Sequence, residues 1–421
     1  MLDKKRHIPS RIYIAVSLIS LIALLTCFLL SRGDMMSQWL FRDTRDTGMD
    51  FFHSIEYLRG RIPYEKFGTL YPPLANLFFY VIYRFIPLDV VEKWADTFEA
   101  SISARGTDID LRTYQAPMVM FILFVILCSL LLVMFCELLL KNRSEAKWVG
   151  FFAVLSIGVL YSFERGNIVL VSVILLLYFV LNYKSENKWI RETALIALAI
   201  SAGLKLYPAF FGVLLIRDKQ WKASIRAIIY GVLTVIIPCF AFHEGLDAIK
   251  IWLRVTFSFA DSGSSKWLGL GFTNFLYMIS HILDVLFGIT VPDGCFRAIS
   301  YLVISIFLLH SFFEKREWKA VFEIVFALTL FQDQGLYVLS MFLIPLFLFL
   351  RDEDNLKKSN VVWFCAMVLL TIPFPYPVFG ITSRIGCQII LDISVVAYLI
   401  ELLIKSILKF KTFYTKKALN S

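Results

Sequence analysis

At 421 residues, 58% of them hydrophobic and 18% charged, the chain is too apolar for a soluble globular protein and reads as a polytopic membrane protein. Its formal net charge of +9 does not indicate nucleic acid. The basic residues form no patch but short clusters at the ends of apolar spans: Lys4-Lys5-Arg6, Lys141/Arg143/Lys147, Arg217/Lys219/Lys222/Arg226, Lys357-Lys358 and Lys405 to Lys417. Cytoplasmic loops look like this under the positive-inside rule. Seven scattered cysteines without a C-x-x-C pair, and five histidines without ligand spacing, exclude a disulfide framework and predict no zinc site.

Ile12 to Leu30 follows a basic start that ends at Arg11. The apolar run is too long for a signal peptide and lacks a small-residue cleavage pattern, so it is predicted to be the first transmembrane helix, N-terminus inside. The loop that follows, about residues 31–71, is then extracytoplasmic, and it is longer than a simple reversal of the chain requires. From Arg42 to Pro73 it reads RDTRDTGMDFFHSIEYLRGRIPYEKFGTLYPP, with Asp43, Asp46, Asp50, His53, four arginines and three tyrosines. Asp46 and Asp50 are spaced i, i+4. A helix beginning near Thr47 would place both carboxylates on one face, with His53 further along the same stripe. Either aspartate alone could be an N-cap. As a pair they suit a general base for an acceptor hydroxyl, the second carboxylate orienting the first or raising its pKa. Tyr71-Pro72-Pro73 closes the loop and opens the next helix, and Tyr71 could shape a sugar or lipid pocket.

Apolar runs at 12–30, 72–88, 116–140, 147–163, 167–183, 193–216, 225–242, 271–289, 296–313, 319–331, 335–350, 360–376 and 384–407 give about 11 to 13 candidate spans. No repeat or linker interrupts them, so residues 1–421 form one domain. Two conflicts stand out. The loop 90–114 carries more acid than base, which favours the outer side, yet a full crossing by 72–88 would put it inside; one of these inferences fails. Loops 184–192 and 217–226 both look cytoplasmic although a single run, 193–216, separates them. That run is interrupted by Gly203-Leu204-Lys205-Leu206-Tyr207-Pro208, so two half-length helices meeting there would return the chain to the side it left. Lys205 then faces a wet cavity or snorkels to an interface.

Glu164-Arg165-Gly166-Asn167 lies between two apolar spans with almost no loop. A tight turn accounts for Gly166 and Asn167 but not for an adjacent Glu-Arg at a membrane boundary. Lys205 with Arg165 could bind a phosphate. Asn274, and Gln334 within Gln332-Asp333-Gln334, are candidate sugar contacts or plain polar helix ends.

Taken together, Asp46…Asp50-Phe51-Phe52…Gly60-x-x-Pro63-Tyr64…Tyr71-Pro72-Pro73-Leu74 resembles the first outer loop of glycosyltransferase family 87. That family comprises polytopic GT-C enzymes, including the mycobacterial polyprenyl-phosphate-mannose-dependent mannosyltransferases. Arg165-Gly166-Asn167 and Lys205-x-Tyr207-Pro208 also resemble segments of the catalytic subunit of eukaryotic GPI mannosyltransferase, another GT-C enzyme. The resemblance covers the first half of the chain; beyond Arg226 only the layout of spans and loops matches. It implies an all-α, polytopic transmembrane helical bundle of GT-C type, whose long first extracytoplasmic loop carries short surface helices. It also implies an inverting transfer, a donor that is a polyprenyl-phosphate-linked sugar (a hexose such as mannose), and a catalytic aspartate in that loop. The loop register, counted back from Gly60, selects Asp46 as base with Asp50 next. His53, Tyr64, Tyr71, Arg165, Asn167, Lys205, Tyr207, Asn274 and Gln334 are the expected substrate contacts. The Trp/His-containing segment that family members often carry late in the chain is replaced by Phe331-Gln332-Asp333-Gln334-Gly335, without histidine.

The expected partners are that donor, a glycan or glycolipid acceptor and membrane lipid, with no nucleic acid. No cofactor or divalent metal is expected, although Asp43, Asp46 and Asp50 together could hold Mg²⁺ or Mn²⁺. Leu419-Asn420-Ser421 is no retention signal, which favours a bacterial plasma membrane with the site on its outer face. The rival readings are a glycolipid or polysaccharide transporter or flippase, and a polysaccharide polymerase or ligase. A carrier would show broken helices in both halves, whereas the sequence has one clear break.

Overall fold

The structure, a computed structural model, describes residues 8–38, 40, 46–98, 110–140, 142–261, 270–331, 335–351, 358–373 and 383–419. Most of these residues are helical, and among them there is no β-strand. In chain order the helices are α1 (Ile8–Leu30), α2 (Met49–Glu56), α3 (Pro73–Tyr83), α4 (Leu88–Phe98), α5 (Gln115–Leu139), α6 (Arg143–Val154), α7 (Ile157–Arg165), α8 (Val169–Asn182) and α9 (Lys188–Leu204). There follow α10 (Val213–Arg217), α11 (Trp221–Cys239), α12 (Asp247–Asp261), α13 (Phe272–Phe287), α14 (Asp293–Ser311), α15 (Glu317–Thr329), α16 (Leu343–Arg351), α17 (Lys358–Thr371) and α18 (Ser383–Leu419). Short 3₁₀ segments at Tyr207–Gly212 and Leu336–Phe342 lead into α10 and α16.

The polarity of α1 is that of a membrane span. Tyr13, Ser17 and Ser20 are buried against the protein, while Leu18, Ile19, Ile22, Leu25 and Leu29 are exposed. In lipid an apolar surface gains nothing by hiding, so small and hydroxylated side chains take the helix contacts and leucines face outward. The interior is built differently. Every residue from Trp318 to Thr329 in α15 is buried, as are Leu343–Leu350 in α16, so these helices are apolar all round and form the centre of the bundle.

Among the described residues five single helices are long and apolar enough to cross a membrane, and six spans result if the bent pair α6–α7 counts as one. The 11 to 13 expected runs therefore form fewer continuous rods, because many are cut. α3 has 11 residues, about 16 Å at 1.5 Å per residue, half of what the hydrocarbon needs. The expected span 147–163 is bent by 50° between α6 and α7.

The run 193–216 does break where the sequence indicated. α9 ends at Leu204, and Lys205 is extended at φ −145°, ψ 130°. Glu192 of α9 meets Arg226 and Tyr230 of α11, and Ala199 accepts a hydrogen bond from Thr234. Contacts that advance together along both helices mean that α9 and α11 are parallel. The chain between them must come back, and it does: Asp218 accepts from Tyr183 and pairs with Lys184, just ahead of the start of α9. Loops 184–192 and 217–226 thus lie at the same end.

Candidate active site

The loop between α1 and α3 is held at both ends. Gly48, the N-cap of α2, has φ 75° and provides no side-chain cap, and its N–H donates to the carbonyl of Glu164. Thr47 donates its hydroxyl to Glu164 Oε1 at 3.1 Å, and Arg112 Nη1 donates to the Thr47 carbonyl at 2.9 Å. Further along, Tyr64 and Glu65 N–H groups both donate to Glu244 Oε1, at 2.8 and 2.7 Å, and Trp252 Nε1 donates to Leu70 O at 3.1 Å. The segment after α11 therefore fastens the loop from the far side.

This places Asp46 and Asp50 on one guanidinium. Arg165 Nη2 donates to Asp50 Oδ1 at 2.7 Å, and Nη1 bonds both the carboxylate and the backbone carbonyl of Asp46. They do not meet by helical spacing. α2 begins only at Met49, so Asp46 lies in the turn before it, and neither aspartate caps the helix. Asn167 completes the clamp: Nδ2 donates to Asp50 Oδ2 at 2.7 Å, while Oδ1 accepts the N–H of Val169 at 3.0 Å at the start of α8. Arg165 and Asn167 can both face Asp50 because Gly166 between them turns left-handed at φ 66°. A Cβ there would lie 2.6 Å from Phe51 Cβ.

Burial works against ionisation of Asp50, but the charge of Arg165 and the hydrogen bonds from Arg165 and Asn167 outweigh it, so the carboxyl lies below its ordinary value. Asp50 is an anion at neutral pH.

A cavity of about 400 Å³ opens beside this carboxylate. Asp50, Tyr71, Asn167, Lys205, Tyr207 and Tyr337 line it, together with Tyr57 and the Gly68–Pro72 end of the loop. Lys205 sits between two aromatic faces, its Nζ 4.4 Å from the ring centre of Tyr71 and 5.6 Å from that of Tyr337. Such contacts hold an ammonium in place without neutralising it. The Tyr207 hydroxyl is buried and has no hydrogen-bond partner among the described residues. Burial pushes the Tyr71 hydroxyl well above its ordinary pKa, so it is a neutral phenol. The lining thus offers an anion, a cation and phenols around one hollow.

Of the residues expected from sequence, the cavity gathers Asp50, Tyr71, Asn167, Lys205 and Tyr207, with Arg165 directly behind Asp50. Asp46 shares Arg165 but is not on the cavity wall. His53 packs on Trp94 and Tyr57, with ring centres 5.6 and 5.8 Å away, one ring behind the wall. Tyr64 is buried and donates to the Tyr71 carbonyl at 3.0 Å, so it supports the wall from outside. Asn274 opens α13 away from the cavity. Gln334, like Asp43, lies outside the described residues. Sequence reasoning did not single out Tyr57 or Tyr337. Tyr337 arrives through the 3₁₀ segment 336–342, which packs on α7 and stacks Tyr337 on Tyr161 at 6.3 Å. The polar break Gln332-Asp333-Gln334 just ahead of it was its one signal.

Among the described residues no three His, Cys, Asp or Glu side chains are grouped to hold a metal ion.

The family model of glycosyltransferase family 87 matches residues 69–332, well over half of the chain. The match begins near the end of the loop before α3 and takes in Tyr71, Arg165, Asn167, Lys205, Tyr207 and Asn274. It runs past Arg226, where the residue-level resemblance stops, and leaves Asp46, Asp50, His53 and Tyr64 ahead of it. No curated protein and no solved structure matches the chain. With its apolar spans, the chain is a multi-pass membrane glycosyltransferase and belongs to glycosyltransferase family 87.

Proposed function

We propose that the chain moves a sugar, a hexose such as mannose, from a polyprenyl-phosphate-linked donor to a glycan or glycolipid acceptor, with inversion, as an enzyme of GT-C type. The same reading puts it in a bacterial plasma membrane with its active site on the outer face. The observation that supports it is the single cavity shared by Asp50 and Lys205.

In this scheme the donor phosphate sits by Lys205, where the Tyr207 hydroxyl supplies a hydrogen bond, and the tyrosines flank the sugar. Asp50 is the base. The acceptor hydroxyl oxygen forms a bond to the anomeric carbon from the face opposite the phosphate, and its proton passes to the Asp50 carboxylate. The bond from the anomeric carbon to the phosphate oxygen breaks, its electron pair leaving with the phosphate, and Lys205 offsets that growing charge. Arg165 does not take the phosphate, because its guanidinium is committed to Asp46 and Asp50. Asp46, which the family register favours as base, holds the outer edge of Arg165 in this scheme.

The test is transfer from a panel of radiolabelled polyprenyl phosphate sugars to a membrane-glycan extract, with Asp46→Asn and Asp50→Asn beside the wild type. Loss of transfer in Asp50→Asn with the donor still bound supports the scheme. Loss confined to Asp46→Asn reassigns the base. Donor carried across vesicles without release of polyprenyl phosphate means a carrier, and rules the transferase out. Transfer that survives a chelator excludes the metal-assisted variant through Asp43, Asp46 and Asp50.

A further inference from the structure

A second cavity, of about 630 Å³, lies at the other end of α9. Arg191 on its rim is 14 residues before Lys205, about 21 Å along the helix. This cavity is therefore in the opposite leaflet from the candidate active site. Lys184, Arg191, Lys219, Trp221, Lys222 and Arg226 line it, and no carboxylate does.

Two of the five cations are already matched: Lys184 pairs with Asp218 at 2.8 Å and with Glu317 at 3.1 Å, and Arg226 pairs with Glu192 at 3.1 Å. Arg191, Lys219 and Lys222 have no carboxylate partner among the described residues. Three unmatched cations in one hollow call for an anionic ligand. Lys219 reaches the rim from a left-handed backbone (φ 57°), a conformation that lysine seldom adopts.

The surroundings say what the anion is attached to. Trp221 and Trp189 stand exposed at this end, as side chains of the membrane interface do. Immediately above the cavity α11 turns outward an unbroken apolar strip of Ile225, Ile228, Ile229, Val232 and Leu233. A water-soluble phosphate has no use for that strip. Acyl chains do.

We propose that this cavity binds the phosphate head group of an anionic phospholipid of the inner leaflet, with its chains along the outward face of α11. Basic hollows beside transmembrane helices suit such head groups on electrostatic grounds. The inference does not depend on the transferase scheme.

Native mass spectrometry of the full chain in neutral detergent tests it, with added phosphatidylglycerol, phosphatidylcholine or inorganic phosphate. Wild type is expected to retain phosphatidylglycerol over phosphatidylcholine by about tenfold or more, and Lys219→Asn/Lys222→Gln to lose most of that preference. Both lysines are exposed, and asparagine tolerates the left-handed backbone at 219, so the variant keeps its fold. For wild type the preference should also fall as salt rises from about 50 to 500 mM. A variant that keeps the wild-type preference overturns the proposal, as does equal retention of the two lipids. Retention of inorganic phosphate as strong as that of phosphatidylglycerol overturns the assignment to lipid.

Discussion

Asn167 reaches across 117 residues of chain to donate to Asp50 at 2.7 Å, and its own carbonyl is fixed by the Val169 N–H. The second bond decides which way the amide faces, so Asn167 can only donate to the carboxylate. Asn167→Ala removes one hydrogen bond to a charged group, and kcat/KM is expected to fall ten- to hundredfold, about 1.5–3 kcal/mol. Asn167→Asp sets a second negative charge against Asp50 and is expected to cost more. Initial rates with a matched donor check both.

The acid limb of the pH profile follows from Arg165. Asp50 titrates below its ordinary value because of that guanidinium, so its ionised, paired form stabilises the fold above the usual carboxylate range. That contribution is lost only as pH falls through the lowered value. Transfer governed by Asp50 should therefore stay level between about pH 7 and pH 5. In Arg165→Gln burial acts without the compensating charge, Asp50 titrates higher, and the acid limb should move up. The same variant removes the ion pair from half-buried Asp50, so a lower unfolding temperature is expected, equivalent to about 3 kcal/mol.

Lys205 and Tyr71 give a graded test. Tyr71→Phe keeps the ring under the ammonium 4.4 Å away and should leave donor affinity nearly unchanged, whereas Tyr71→Leu should weaken it about fivefold, the worth of one such contact. Lys205→Met should weaken it further, and most for donors with the highest phosphate charge. Equilibrium binding of a non-hydrolysable polyprenyl phosphate sugar measures all three.

Gly158 touches the backbone of Ser340. A Cβ there would stand 2.3 Å from Ser340 N and 2.7 Å from Leu339 C, a collision with main chain that no rotamer relieves. Gly158→Ala should wedge α7 from the 336–342 segment and displace Tyr337 from the cavity. It is expected to destabilise by about 1–3 kcal/mol, the usual cost of overpacking, and to raise the donor KM. Thermal unfolding with kinetics separates the two effects.

What could be read from the sequence was what short stretches encode. The break before Lys205 was legible because Gly203 and Pro208 flank it, and the return of the chain followed from the charges of loops 184–192 and 217–226. The 50° bend between α6 and α7 was not, since Leu155-Ser156 carries no breaker and the bend is set by packing of α7 against residues 336–342. Asp46 and Asp50 were legible as a pair, but their spacing suggested the wrong cause. A turn at Gly48, not a shared helix face, brings them to Arg165. The same change of helix start sends His53 towards Trp94. Tyr337 had only the polar break ahead of it as a signal, and its place on the cavity wall comes from tertiary packing.

The Arg165 clamp also has a consequence for biosynthesis. Asp50 leaves the ribosome 115 residues before its counterion, roughly 6 to 23 seconds at ordinary elongation rates. Through that interval the loop carries its acids with no Arg165 to gather them. It can dock only after α7 has been inserted with Arg165 on the loop's side, and the cavity closes later still, when Lys205 and then Tyr337 have been made. Inserted the other way round, α7 would part Arg165 from Asp46 and Asp50, so the ion pair is compatible with only one orientation of α7 relative to the loop.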